Sequence, residues 1–218
     1  MPDFDAIVVG SGCAGSVAAY EIARAGKSVV VIERGNFAGA KNMTGGRIYT
    51  HSLAKVFPGF EQEAPLERRI THERISLIAP DAGFTVDFTS DEMRVQNRDS
   101  YSILRRPFDH WLASKAEDAG AEYIYGIAVE ELMIEEGRVV GVRAGDDEIT
   151  ADVVLLCDGV NSLLTEAAVG FKRPAASTMA VGIKQVFELP EHVITDRVLA
   201  ASDDEGAAWL FAGDPTKG

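Results

Sequence analysis

Residues 4–9 run almost without interruption through apolar and β-branched side chains, and residues 28–32 do the same, nearly all Val and Ile. A strand that is apolar at odd and even positions alike is covered on both faces, as in a parallel sheet flanked by helices. Between the two runs, residues 16–25 carry helix formers (Ala18, Ala19, Glu21, Ile22, Ala23, Arg24), and Gly26 closes them. The pattern predicts β-α-β. A third run of the same kind, residues 153–157, predicts another buried parallel strand far along the chain.

Regular alternation of strand and helix stops after Arg34-Gly35, where a glycine-rich loop, 39–46, begins. Residues 75–79 and 84–88 read as an antiparallel hairpin across a Pro-Asp-Ala-Gly turn. Residues 101–104 are extended. Pro107 suits the first position of a helix, and 108–119 are amphipathic with Trp111, Leu112 and Ala116 inward and Gly120 as the stop. A strand at 122–124 precedes a β-meander of 130–134, 139–143 and 148–150, with turns at Glu136-Gly137 and Gly145-Asp146. Alternation over 179–188 and 207–211 predicts further sheet. No internal repeat or low-complexity segment is present.

The 218 residues suffice for one large domain or parts of two, and a hydrophobic content of 46% supports a packed core. Lys and Arg number 21 against 34 Asp and Glu, and the net charge of -13 excludes a nucleic-acid ligand, whose phosphates need a basic surface. The acidic balance fits either a solvated surface or docking to a basic redox partner. The two cysteines, Cys13 and Cys157, form no C-x-x-C pair, which excludes a disulfide framework and iron–sulfur or zinc ligand sets and points to a reducing cytoplasm. His51, His72, His110 and His192 are scattered without metal or triad spacing, so no metal site is expected. Asp3 and Asp5 precede the first apolar run and Glu21 interrupts the apolar stretch behind it, unlike a signal peptide. No window approaches the roughly 18 apolar residues of a membrane span.

Gly10-Ser11-Gly12-Cys13-Ala14-Gly15 fits G-x-G-x-x-G after a strand and before a helix. In that context the first glycine makes the tight turn, the second lets a pyrophosphate approach the backbone, and the third permits close helix–strand packing. The helix N-terminus then faces the anion, a dipole effect of roughly 0.3 to 2 kcal/mol plus its free N–H donors. Glu33, with Arg34 beside it, ends the second strand 18 residues after Gly15, where a carboxylate accepts both ribose hydroxyls and repels the 2′-phosphate of NADP. FAD and NAD remain. The loss of alternation after Gly35, the meander before the returning strand and Asp158-Gly159 at that strand's end favour FAD. Asp158-Gly159 reads equally as an ordinary strand-to-helix turn, with Asn161 or Ser162 capping the next helix and Glu166 in its first turn. Cys13 suits a small residue filling the loop better than a redox thiol. Lys41 and Arg47 flank the 42–46 stretch of the 39–46 loop, either as solvated cations or steadying a reduced, anionic flavin.

Several strings carry a family resemblance: Asp5-Ala-Ile-Val-Val-Gly-Ser-Gly-Cys-Ala-Gly-Ser-Val-Ala-Ala, Val31-Ile-Glu-Arg-Gly, Gly39-Ala-Lys-Asn-Met-Thr-Gly-Gly-Arg-Ile-Tyr, Tyr101-Ser-Ile-Leu-Arg, Phe108-Asp-His-Trp-Leu and Asp158-Gly-Val-Asn-Ser. With them the chain resembles the amino-terminal part of the FixC-type flavoproteins, relatives of electron-transfer-flavoprotein:quinone oxidoreductase and of geranylgeranyl reductases. The 39–49 loop is the most family-specific of these strings. The resemblance implies an α/β fold: an FAD-binding Rossmann-like domain of the glutathione-reductase type with an inserted β-meander, residues 1–74 and 100–172. Residues 75–99 and 173–218 are expected to form part of an antiparallel-sheet substrate domain. It places Asn42, Met43, Thr44, Gly45 and Gly46 near the isoalloxazine, Arg105 near the cofactor, and the Val129 backbone on adenine.

The implied activity is an FAD-dependent oxidoreductase that passes electrons from an electron-transfer flavoprotein toward quinone or a ferredoxin-like partner. FAD does the chemistry, so no catalytic side chain is nominated. The location expected is cytoplasmic, with peripheral contact at the inner face of the membrane through the family's C-terminal half. Alternatives are a geranylgeranyl-reductase-like or aromatic-hydroxylase-like flavoenzyme, or a non-catalytic FAD-binding or interaction fragment. The family's later Gly-Asp-Ala motif for the ribityl chain is not found. Gly213-Asp214 precedes Pro215, which suits a turn, and the chain is expected to stop midway through the substrate domain.

Overall fold

The structure is a computed structural model that describes residues 1–43, 45–170, 172 and 174–214. In chain order the strands are β1 (Phe4–Val9), β2 (Val29–Glu33), β3 (Gly45–Tyr49), β4 (Leu66–Ile78), β5 (Gly83–Phe88), β6 (Ser100–Leu104), β7 (Glu122–Tyr125), β8 (Glu131–Glu135), β9 (Arg138–Ala144), β10 (Asp147–Leu156) and β11 (Glu205–Gly213). The α-helices are α1 (Cys13–Arg24), α2 (Thr50–Leu53), α3 (Arg105–Asp118), α4 (Leu163–Val169) and α5 (Glu191–Val198). Two compact units divide the chain: Met1–Met43 with Arg105–Ile183, and the described residues of 44–104 with 184–218.

The first unit is built on a six-stranded sheet in the order β7-β2-β1-β10-β9-β8. β7, β2, β1 and β10 run parallel, and β9 and β8 complete the sheet antiparallel. Even residues of β1 and odd residues of β2 (Ala6, Val8, Val29, Val31) pack on Ala19 and Ala23 of α1 and on Ala116 of α3. Ile7, Val9, Val30 and Ile32 project to the other face, against Val142, Ala151 and Leu164. Residues 6–9 and 29–32 are therefore covered on both faces, which is why those stretches are apolar throughout, while Asp5 in β1 pairs with Lys27 and Ser28 and Glu33 ends β2. Each fully buried Val or Ile contributes about 1.5–3 kcal/mol.

Several sequence expectations shift here. Segments 148–150 and 153–156 join into one strand, β10, which stops one residue short of Cys157; its first residues pair with β9 and its remainder with β1. α3 starts at Arg105, so Pro107 stands third and not first; the first-turn N–H groups have no intrahelical partner, and its lack of one is tolerated. Leu112 and Ala116 are buried as expected, while Trp111 is only half-buried. The Glu136-Gly137 turn has φ of 49° and 79°, the left-handed pair that a two-residue hairpin needs.

The second unit is an antiparallel-rich sheet of five strands with β4 at its centre. β11 pairs with β4 in parallel on one side, and β6 and β5 pair antiparallel with it on the other. The hairpin expected over 75–88 exists, but β4 begins at Leu66. Residues 45–49 and 66–74 thus belong to this sheet, because β3 pairs β6 and β6 pairs β4. The unit boundaries fall at 43/44 and 104/105 in place of 74/75 and 99/100. The strand expected over 179–188 does not form: no ladder includes it among the described residues, and Val181 and Ile183 are each 94% exposed. Alternation alone, without a neighbouring strand to complete its hydrogen bonds, yields no sheet.

Candidate functional site

The site begins where β1 gives way to α1. Gly10 has φ of 98°, and a Cβ there would stand 2.5 Å from the Cys157 carbonyl oxygen at the end of the neighbouring strand. A Cβ on Gly15 would lie 1.8 Å from the Gly10 carbonyl oxygen and 3.2 Å from Val8 Cγ1. These two glycines are required by packing. Gly12 differs: it caps α1 with an ordinary φ of -73°, and the nearest atom to a Cβ there is Arg105 Nη2 at 3.9 Å. No side chain caps this helix start. The loop is therefore closed beneath Gly10 and Gly15 and open above Gly12, where a pyrophosphate can reach backbone N–H groups.

Glu33 closes β2 beside this loop. Its Oε2 accepts hydrogen bonds from Ser11 N at 2.9 Å and Ser11 Oγ at 3.1 Å, and its Oε1 from Gly35 N at 2.7 Å. A carboxylate has about four acceptor positions, so one remains for a ribose hydroxyl. The connection after β7 passes the same strand end, with Ile127 N donating to Glu33 O at 3.3 Å and Gly126 N to Gly35 O at 2.9 Å. Val129 comes two residues later, partly buried against the apolar cluster of Ile7 and Ile32.

The second turn of α3 brings a residue that the motif reading missed. Asp109, fully buried, accepts Arg105 Nε at 2.7 Å and Nη2 at 3.0 Å, the Cys13 thiol at 3.3 Å, and the Asn42 amide. The i,i+4 spacing of Arg105 and Asp109 was its signal in the sequence. Burial, reinforced by the Asp109 charge, pushes the Cys13 thiol up to about 12, with the Arg105 charge opposing. A low-pKa redox thiol does not fit that environment.

Ala14 and Arg34 are exposed, as are Lys41 and Met43. Thr44 lies outside the described residues. Gly45 and Gly46 open β3 in the second unit, in register with Leu104 and Ile103. Arg47 is engaged within that unit by Glu73 at 2.7 Å and Ser100 Oγ at 2.7 Å. Asp158 accepts from Leu164 N at 3.0 Å, Thr165 N at 3.3 Å and Thr165 Oγ1 at 2.8 Å, so it caps α4, the role expected of Asn161 or Ser162. Ser162 sits at the N-cap with φ of 44° and makes no side-chain cap bond. Gly159 is exposed. Among the described residues no His, Cys, Asp and Glu cluster could hold a metal, and no helix is long and apolar enough to cross a membrane.

A glycine turn after a parallel strand, an open helix start and a carboxylate ending the next strand define a dinucleotide-binding α/β protein. The family model described as FAD dependent oxidoreductase matches residues 5–206, so the chain belongs to the FAD-dependent oxidoreductases, and its dinucleotide is FAD. It is 53% identical over 215 residues to protein FixC of Salmonella typhi, covering 99% of this chain and 50% of that protein. It is 49% identical to the probable electron transfer flavoprotein-quinone oxidoreductase YdiS of Escherichia coli strain K12, with the same coverage. Among solved structures, a geranylgeranyl bacteriochlorophyll reductase-like protein of Thermoplasma acidophilum superposes with a TM-score of 0.65 at 25% identity, over 76% of this chain and 42% of that one. The chain spans about half the length of the curated relatives it matches.

Proposed function

We propose that this chain is the FAD-holding part of a flavin dehydrogenase that takes electrons from an electron-transfer flavoprotein and delivers them toward quinone or a ferredoxin-like acceptor. The observation that carries the reading is the open approach over Gly12, framed by packed Gly10 and Gly15 and joined by Glu33, in a chain about half identical to FixC and YdiS. Bound FAD supplies the electron-accepting and electron-donating chemistry. The chain's residues bind and orient: backbone N–H groups of residues 12–15 and the Arg105 guanidinium meet the pyrophosphate, Glu33 the ribose, and the Val129 backbone the adenine. Asn42 and Met43 are assigned to the flavin end on family resemblance, with Lys41 next to them in the loop. The cytoplasm, with peripheral contact at the inner membrane face, is the compartment we assign, supported by Cys13 and Cys157 both being free thiols.

The test is anaerobic mixing of the FAD-loaded protein with a reduced electron-transfer flavoprotein, tracked through flavin absorbance. Loss of the oxidised flavin band supports the reading; no reduction refutes it. The likeness to the geranylgeranyl reductase-like structure favours a second reading, reduction of a prenyl chain. Saturation of an isoprenoid double bond by the reduced protein would select that alternative, and rapid reduction by NADPH alone would select a hydroxylase. A colourless, FAD-free product after gel filtration would select the interaction-fragment reading.

A further inference from the structure

Asp109 is separated in sequence from two of its partners by 96 residues, to Cys13, and by 67, to Asn42. Its Oδ1 receives Arg105 Nε at 2.7 Å and the Cys13 thiol at 3.3 Å; its Oδ2 receives Arg105 Nη2 at 3.0 Å and the Asn42 amide. Four donors fill the roughly four acceptor positions of a carboxylate. The residue therefore joins three stretches of chain: the start of α1, the loop before residue 44, and α3. That loop lies flush on the helix, since a Cβ on Gly39 would stand 2.8 Å from the Arg106 carbonyl oxygen and 3.1 Å from Asp109 Cβ. Arg105 is bound through Nε and Nη2, which leaves Nη1 and the second Nη2 proton turned away from Asp109. Nη2 also stands 3.9 Å from where a Cβ on Gly12 would lie.

We propose that Asp109 is a positioning residue for the cofactor: it holds the Arg105 fork beside the glycine loop, so that the outward N–H groups meet the pyrophosphate, and ties the Asn42 segment to that loop. The inference rests on reading residues 10–15 as the FAD site. A planar guanidinium locked on one edge presents the other in fixed geometry, suited to bidentate recognition of phosphate oxygens. A lysine at the same place keeps the charge and loses the fork.

The test measures FAD affinity by flavin fluorescence titration and, in a Cys157→Ser background where Cys13 is the sole thiol, the pH profile of Cys13 alkylation. Arg105→Lys is expected to raise the FAD Kd about tenfold. Asp109→Asn is expected to raise it at least as much and to move the alkylation profile to lower pH, because a neighbouring negative charge has gone. The double variant is expected to bind FAD no more weakly than the weaker single variant, since both substitutions break one clamp. Wild-type affinity in folded Asp109→Asn, or fully additive losses, overturns the positioning role. If Asp109→Asn does not fold, Arg105→Lys and Asn42→Ala decide, since both leave the buried carboxylate with other donors, and wild-type affinity in both overturns the role. Failure of the wild-type protein itself to bind FAD overturns the site reading together with this one, an outcome distinct from intact wild-type binding with unaffected variants.

Discussion

Replacing Gly15 and Gly12 in turn by alanine separates what packing needs from what a ligand needs. A Cβ on Gly15 would lie 1.8 Å from the Gly10 carbonyl oxygen and 3.0 Å from its carbon, both backbone atoms with no freedom to swing aside. Contact at an ordinary distance of about 3.5 Å requires β1 and α1 to part by more than an ångström, along the seam where Val8 meets Ala19. Overpacking of this kind costs about 3 kcal/mol, and the better helix propensity of alanine returns about 1, for a net loss near 2 kcal/mol. In a chain of this size that lowers the melting temperature by about 4–8 °C. Gly12→Ala meets nothing closer than 3.9 Å and already has an alanine-compatible φ, so its cost is confined to the weaker N-cap, about 0.5–1 kcal/mol. FAD affinity should nevertheless fall at least tenfold in Gly12→Ala, because the methyl group occupies the open approach. Thermal unfolding and flavin fluorescence titration read the two effects separately. Equal destabilisation by both substitutions, or wild-type FAD affinity in Gly12→Ala, would refute this division of labour.

Three further outcomes concern the same site. Glu33→Gln keeps one acceptor oxygen where Ser11 N, Ser11 Oγ and Gly35 N now share two, and should weaken FAD binding about tenfold in the same titration; unchanged affinity would remove Glu33 from the ribose. With its thiol moved from 9.0 to about 12, chiefly by burial, Cys13 favours the folded state fully below about pH 9, and that contribution is lost as pH rises toward 12. Urea unfolding across alkaline pH should therefore show a slope that flattens in Cys13→Ser, and an identical slope in the variant would contradict the assignment. Asp158→Ala removes the acceptor for Leu164 N and Thr165 N and should cost about 1 kcal/mol of stability with FAD affinity intact; a parallel loss of affinity would show that Asp158 also serves the dinucleotide.

Strands β1 and β2 were legible because the burial of residues 6–9 and 29–32 writes itself as an apolar run, whereas the equally apolar end of β10 keeps Val153 54% exposed and Val154, Leu155 and Leu156 only half-buried. The glycine loop was legible because each of its glycines answers a separate steric demand. Length and register were less so: the two pieces of β10 looked separate because the strand changes partners between Thr150 and Ala151. The start of β4 was hidden, since Glu67, Arg68 and Arg69 carry no alternation that marks a strand. Residues 179–188 show the reverse, a strand-like pattern with no ladder to join. Asp109 escaped notice because its importance depends on Cys13 and Asn42, brought to it from distant parts of the chain, and a local motif cannot express that convergence.

The register of β1 against β10 also sets an order of assembly. Phe4 pairs with Ala151, and Cys157 N closes on Val9 O at 2.9 Å, so the wall behind the nucleotide loop is synthesised 147 residues after the strand it supports. The hairpins of β8, β9 and β10 are local and can form as they emerge, whereas joining β10 to β1 must close a long loop and comes late. During that interval the first strand made offers an open edge that is apolar from Ala6 to Val9, the kind of surface on which nascent chains associate wrongly. A ribosome halted before Leu156 would release the complete G-x-G-x-x-G signature without the neighbour that gives Gly10 its shape.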